Sequence, residues 1–363
     1  MQLASTLAWL VDAAAETPTF ERFLANLGSR LIKDGAALSG GALTLASPHP
    51  LIARRTWLWR AENGEVVEAL GFVAGAHSAT GDSPPAESGR RWLAGLAAGP
   101  VHEDLVGPTP DGPRLGWVGP RPFTRDEADR LREAARFAAA PLAALTARAT
   151  LTAALEAYLG RRSTARVLAG PLRRGGGETI EAALLFADLR GFTALSESSP
   201  PAEVISALDA WFDRIAGSVH AFGGEVLKFM GDGVLAIFPV VGGSPRNACE
   251  AALRAVSAAR SGMAHLDEAR SREGLAPLPF GVALHLGEMM WGNIGAADRL
   301  DFTAIGPAVN LVSRLEGLCR PLEKTVLVSD AFAAQTRAPL IPLGMHGLRG
   351  IASPCAVFTL PET

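Results

Sequence analysis

Apolar and polar positions follow two rhythms along the chain. Over residues 1–122 the pattern opens helical, with Leu7, Leu10 and Val11 on one face and Phe20, Phe23, Leu24, Leu27 and Leu31 on another. Short apolar runs at 42–46, 56–59 and 66–70 read as strands, Pro/Gly-rich turns fill 71–113, and 114–118 closes the stretch as a last strand. This order predicts a small α+β unit. At Phe123 the rhythm changes. Thr124 with Glu127 three residues on is a capping box and Phe123 sits at the staple position, so a helix is predicted to start here. Leu131, Ala134, Ala138, Leu142, Leu145, Ala149, Leu155 and Leu159 keep a three-four spacing suited to close helix pairing, with Pro141 expected to kink or break the helix. Residues 123–177 are therefore expected to form a helical connector and a dimer contact.

From Glu178 the order becomes strand, helix, hairpin, helix, strand. Strands are predicted at 182–187, 224–229, 233–238 and 280–284, and helices at 201–221 and 246–265. A later helix spans 307–318, and 325–329 is strand-like. A βαββαβ order belongs to ferredoxin-like α+β sheets with helices on one face, so 178–363 reads as one domain.

Composition narrows the partners. The chain has 363 residues, 48% of them hydrophobic, which is enough for two domains and a connector. Thirty-four basic residues against 37 acidic ones leave a formal charge of −3, with no basic run, so neither nucleic acid nor an anionic membrane is an expected partner. No stretch reaches the roughly 18–20 apolar residues of a membrane span, and the N-terminus reads as an amphipathic helix instead of a signal peptide. A cytoplasmic protein is expected. Cys249, Cys319 and Cys355 offer neither a disulfide framework nor a Cys-x-x-Cys pair and read as buried thiols. His49, His77 and His102 lack ligand-like spacing, Trp57 and Trp59 read as core, and His285 reads as a satisfied core histidine.

Candidate chemistry gathers in three clusters. Asp188 ends an apolar run in Leu-Leu-Phe-Ala-Asp-Leu-Arg-Gly-Phe-Thr, where Gly191 permits a sharp turn that brings backbone N–H groups near a phosphate. Asp232 lies in Lys-Phe-Met-Gly-Asp-Gly at the tip of a predicted hairpin. Carboxylates at strand ends are a common way to hold hard divalent cations against a nucleotide phosphate. In the third cluster, 301–314, Asn310 and Arg314 lie four apart on one helical face behind Pro307. An amide and a guanidinium stacked in this way suit a ribose oxygen and a phosphate.

Together the three clusters resemble the catalytic domain of the class III adenylate and guanylate cyclases, from about Glu178 to the C-terminus. The resemblance implies conversion of ATP to 3′,5′-cyclic AMP and pyrophosphate with two divalent cations, Mg²⁺ or Mn²⁺. It puts the metal ligands at Asp188, Asp232 and the Leu189 carbonyl, and the transition-state pair at Asn310 and Arg314. Gly191, Phe192 and Thr193 fall on the phosphate turn, and Arg349 on a last phosphate-binding cation. The base-selecting positions fall on Lys228 and Thr303, whose donor and hydroxyl match the adenine edge better than the guanine edge. Lys with Thr also resembles the subgroup in which bicarbonate stimulation recurs. Because the family builds its site between two catalytic domains and this chain carries both halves, a homodimer with shared sites is implied. A guanylate cyclase, or a silent nucleotide-binding module, is the alternative. Gly223-Gly-Glu225 looks like the turn of diguanylate cyclases, but Val226-Leu227 stand where that motif needs Glu-Phe. The front unit, 1–122, resembles a GAF-type sensor in its element order.

Overall fold

The computed structural model describes residues 5–46, 52–72, 87–110, 112–170, 173, 175–296 and 298–361, so His49 and His77 lie outside the described residues. The chain divides into two compact units, Met1–Ala154 and Leu155–Thr363.

In the first unit, α1 (Ser5–Asp12) and α2 (Phe20–Lys33) precede β1 (Gly40–Ala46), β2 (Ile52–Arg60) and β3 (Val66–Phe72). Then come α3 (Glu87–Leu96), β4 (His102–Leu105), β5 (Arg114–Val118) and α4 (Arg125–Phe137), followed by α5 (Ala139–Leu159), in which the division between the units falls. The strands form an antiparallel sheet in the order β3-β2-β1-β5-β4. The apolar face of α2 is buried as its spacing requires, whereas Val11 of α1 is exposed. Trp57, Trp59 and Trp117 join it in one core, and α3 covers the opposite sheet face through Leu93. Both α3 and β4 lie inside the stretch read as turns.

The capping box forms: Glu127 N–H donates to Thr124 Oγ1 at 3.3 Å and Thr124 N–H to Glu127 Oε2 at 2.7 Å. Arg121 adds two donors at 2.8 and 3.0 Å, and these bonds hold the buried Glu127 carboxyl down at about 2. The helix bends by 41° at Ala138, where α4 gives way to α5. Pro141 explains the position, since its ring clashes with the carbonyl four residues earlier, that of Phe137. The expected dimer seam needs correction here. Leu131, Ala134, Ala138, Leu142 and Leu145 pack into the first unit's own core, while Ala149 is exposed and Leu155 and Leu159 are partly buried. No single helix among the described residues is long and apolar enough to cross a membrane; the bent pair α4–α5 reaches that length only jointly.

The second unit opens with α6 (Arg161–Ala169), which the sequence reading had not separated from the connector, and β6 (Gly177–Leu189). Next are α7 (Phe192–Ser198), α8 (Pro201–Ala221), β7 (Glu225–Met230), β8 (Gly233–Pro239), α9 (Pro245–Arg272) and β9 (Phe280–Gly295). The unit ends with β10 (Leu300–Ile305), α10 (Pro307–Glu316), β11 (Val326–Ser329), α11 (Asp330–Ala333), β12 (Ile341–His346) and β13 (Cys355–Thr359). The expected βαββαβ order is present as β6-α8-β7-β8-α9-β9, in the sheet order β9-β6-β8-β7, and β11, β13 and β12 extend it beyond β9. One expectation fails, because helices cover both faces. Along β6, Ala183, Leu185, Ala187 and Leu189 pack with α8 and α9, while Ala182 and Leu184 pack with α10. From Ala182 to Leu185 every residue is buried, so both faces are covered there and this part of β6 is an interior strand.

Candidate active site

Asp188 sits near the C-terminal end of β6, and Asp232 sits in the turn between β7 and β8. Because β6 pairs with β8, the strand end and the hairpin tip meet. Trp211 of α8, fully buried, donates its indole N–H to the Asp232 carbonyl at 2.9 Å and fixes the turn. Burial, then the charge of Asp232 and a hydrogen bond to it, push the Asp188 carboxyl up to about 6. Burial also raises Asp232, against opposing hydrogen bonds. Two carboxylates that cannot both ionise cheaply in one site fit a cation between them. A Cβ at Gly233 would lie 3.2 Å from Asp188 Oδ1, so glycine there keeps that oxygen accessible. Among the described residues no group of three or more His, Cys, Asp and Glu side chains is arranged to hold a metal ion.

Leu189 follows Asp188 and its side chain is buried. Gly191 adopts φ 77, a left-handed conformation that turns the chain from β6 into α7, which begins at Phe192 and Thr193. Lys228 lies on β7 just after a bulge, where pairing with β8 shifts between Val226 and Lys228. Its ammonium forms an ion pair with Asp301 of β10, two residues before Thr303. Asn310 and Arg314 lie on the exposed face of α10, and neither side chain is hydrogen-bonded among the described residues. Arg349 is exposed in the turn after β12, at the opposite sheet edge from β7. One chain thus brings Asp188 to Asp232 and Lys228 to the strand of Thr303, and no hydrogen bond or ion pair among the described residues joins Asn310 or Arg314 to the aspartates.

Residues 177–336 match the family model for the adenylate and guanylate cyclase catalytic domain. These residues are a nucleotidyl cyclase catalytic domain. Adenylate cyclase 1 of Rhizobium meliloti is 33% identical over 172 residues, covering 47% of this chain and 26% of that protein. The adenylate cyclase of Anabaena cylindrica is 28% identical over 169 residues, covering 46% and 32%. The chain therefore spans about a quarter to a third of the length of the curated relatives it matches. A solved bacterial light-regulated adenylyl cyclase aligns over 75% of this chain and 87% of its own, at a TM-score of 0.52 and 22% identity, and so shares the fold.

Sequence reading missed three carboxylates of the cyclase domain. Glu316, at the end of α10, is pushed up to about 7 by burial and by Asp188 and Asp232, with Arg190 pulling the other way. Gly281, opposite Asp188 in the β6–β9 ladder, makes room for it, since a Cβ there would lie 2.3 Å from Glu316 Oε1. Asp301 is the partner of Lys228. Glu225, read only as part of a glycine turn, is buried and caps α6: it accepts from Arg162 N–H at 3.1 Å, Ser163 N–H at 3.0 Å and Ser163 Oγ at 2.9 Å. The one sequence signal for Asp301 was its two-residue offset from Thr303. His285 is a core residue, bonded through Nδ1 to Ser329 Oγ at 2.8 Å and pushed down to about 4 by burial. All three cysteines are free and buried.

Proposed function

We propose that the protein is an adenylate cyclase, converting ATP to 3′,5′-cyclic AMP and pyrophosphate. The observation that carries this reading is the half-buried Asp188–Asp232 carboxylate pair within a cyclase domain whose Lys228 ammonium lies beside the strand of Thr303. Asp188, Asp232 and the Leu189 carbonyl would hold two divalent cations, Mg²⁺ or Mn²⁺. Bound there, the cations supply Lewis-acid activation of the ribose 3′-hydroxyl and neutralise the triphosphate. Lys228 donates to adenine N1, and the Thr303 hydroxyl accepts from the N6 amine. Guanine offers N1–H and O6 at those edges, and each mismatched buried group costs about 1–3 kcal/mol. Asn310 orients the ribose for in-line attack on the α-phosphorus, and Arg314 offsets charge developing there. The Gly191–Phe192–Thr193 turn and Arg349 bind phosphate oxygens.

Asn310 and Arg314, exposed and without a hydrogen bond among the described residues, support a homodimer in which each site takes its aspartates from one chain and its Asn/Arg pair from the other. The front unit is proposed as a GAF-like regulatory domain, over 1–122, acting through the helices of 123–177.

The experiment is to incubate the purified chain with Mg²⁺ or Mn²⁺ and either ATP or GTP. Cyclic AMP from ATP is expected. No cyclic nucleotide from either substrate overturns the reading, and cyclic GMP alone overturns the base-selection argument. Asp188→Ala and Arg314→Ala proteins, each inactive, should recover activity on mixing, and silence of the mixture removes the shared site.

A further inference from the structure

Lys228 is placed by its surroundings. The bulge before it adds a residue to β7, and bulges of this kind re-aim the side chains that follow them. Across from it, Asp301 and Thr303 are two apart on β10 and so leave the strand on the same face. Phe302, between them, points the other way and packs edge-on against the buried Trp291 at 5.7 Å, which fixes how β10 is rotated. The ion pair with Asp301 therefore holds the Lys228 ammonium on the face of β10 from which Thr303 also projects.

The two side chains are 41% and 49% exposed, and a pair this open to water adds little to fold stability. What it constrains is a long, flexible stem. We infer that Asp301 is a positioning residue for base selection: its carboxylate anchors one N–H of Lys228 and leaves two others to meet the adenine edge beside Thr303. The inference rests on the adenylate cyclase reading. Without Asp301 the ammonium is free to swing into solvent. Adenine then loses a preset donor, and guanine loses the like-facing N–H that opposes it.

Asp301→Asn and Asp301→Glu should be assayed with ATP and GTP, each also in a Lys228→Ala background. Losing one charge-assisted contact corresponds to about tenfold. The KM for ATP is expected to rise by that factor in Asp301→Asn with kcat little changed, and the preference for ATP over GTP to fall similarly. Asp301→Glu should recover part of both, and in Lys228→Ala the Asn substitution should do nothing further. The thermal midpoint should stay where it is. Unchanged KM and base preference in a wild type that makes cyclic AMP overturn this inference alone, as does an undiminished effect in the Lys228→Ala background. A wild type that makes no cyclic nucleotide overturns the cyclase reading and this inference with it.

Discussion

Replacing Glu225 by alanine should strike the joint between α6 and β7. The Glu225 carboxylate is 4% exposed and accepts three hydrogen bonds, two from the first backbone N–H groups of α6 and one from the Ser163 hydroxyl. It acts as a helix cap supplied from a distant strand, because Gly160 at the N-cap has no side chain to offer. Loss of an N-cap costs about 0.5–2 kcal/mol, and a buried donor left without a partner costs about 1–3 kcal/mol. With water entering to meet some of the freed donors, the sum is about 3 kcal/mol. For a unit of this size that corresponds to a fall in melting temperature of roughly 6–12 °C. Calorimetry of the full chain should show the transition of Leu155–Thr363 moving and that of Met1–Ala154 staying. Hydrogen exchange should show the Arg162 and Ser163 amides losing protection. Glu225→Gln, which keeps one acceptor oxygen, should fall between the two. A shift below about 1 °C with both amides still protected would refute the argument that this carboxylate holds α6, since even a minimal cap loss of about 0.5 kcal/mol corresponds to about 1–2 °C.

Two pH effects follow from the shifted carboxyls. Glu316 sits at about 7 when folded against an ordinary 4.5, so stability of the metal-free protein falls as pH rises between those values. Glu316→Gln removes the cost, so thermal melts should show it more stable than wild type at pH 8, by an amount on the order of 3 kcal/mol, and equal to it near pH 4; equal melting at both pH values would refute the assignment. Glu127 has the opposite sign: at about 2 when folded, it stabilises above pH 4.5 and its contribution is lost as pH falls toward 2. Acid titration followed by circular dichroism should show Glu127→Gln losing that part of the pH dependence, and an identical acid profile would count against the capping network.

The parts of the site set by local chain chemistry were legible in the sequence. Asp188 ends an unbroken apolar run and Asp232 sits between two glycines, so strand end and hairpin tip could be read directly. The α6 cap, the bulge at Leu227 and the place of Glu316 could not, because each depends on which strand lies beside which. Helix α10 shows the limit most clearly. Its Asn310 and Arg314 stand out through their four-residue spacing, but that it covers the face opposite α8 and α9, and brings Glu316 to the aspartates, is fixed by the pairing of β6 with β9. In the first unit, α3 was hidden because Gly89 and Gly95 and the surrounding prolines carry turn signals that tertiary packing of Leu93 overrides.

The β6–β9 ladder also bears on the order in which the protein can be made. Asp188 is paired opposite Gly281, roughly 90 residues later, and Glu316 arrives later still. A chain leaving the ribosome must therefore carry β6, apolar on both faces, without its principal neighbour while α8, the β7–β8 hairpin and α9 are synthesised. Only β8 can shield one of its edges in that interval. Long-range closures of this kind are slow and leave strand edges open to other chains. A nascent chain can thus join Asp188 to Asp232 once β8 has paired with β6, but Glu316 reaches them only after α10 is made, and a stall before residue 280 leaves the other edge of β6 open to aggregation.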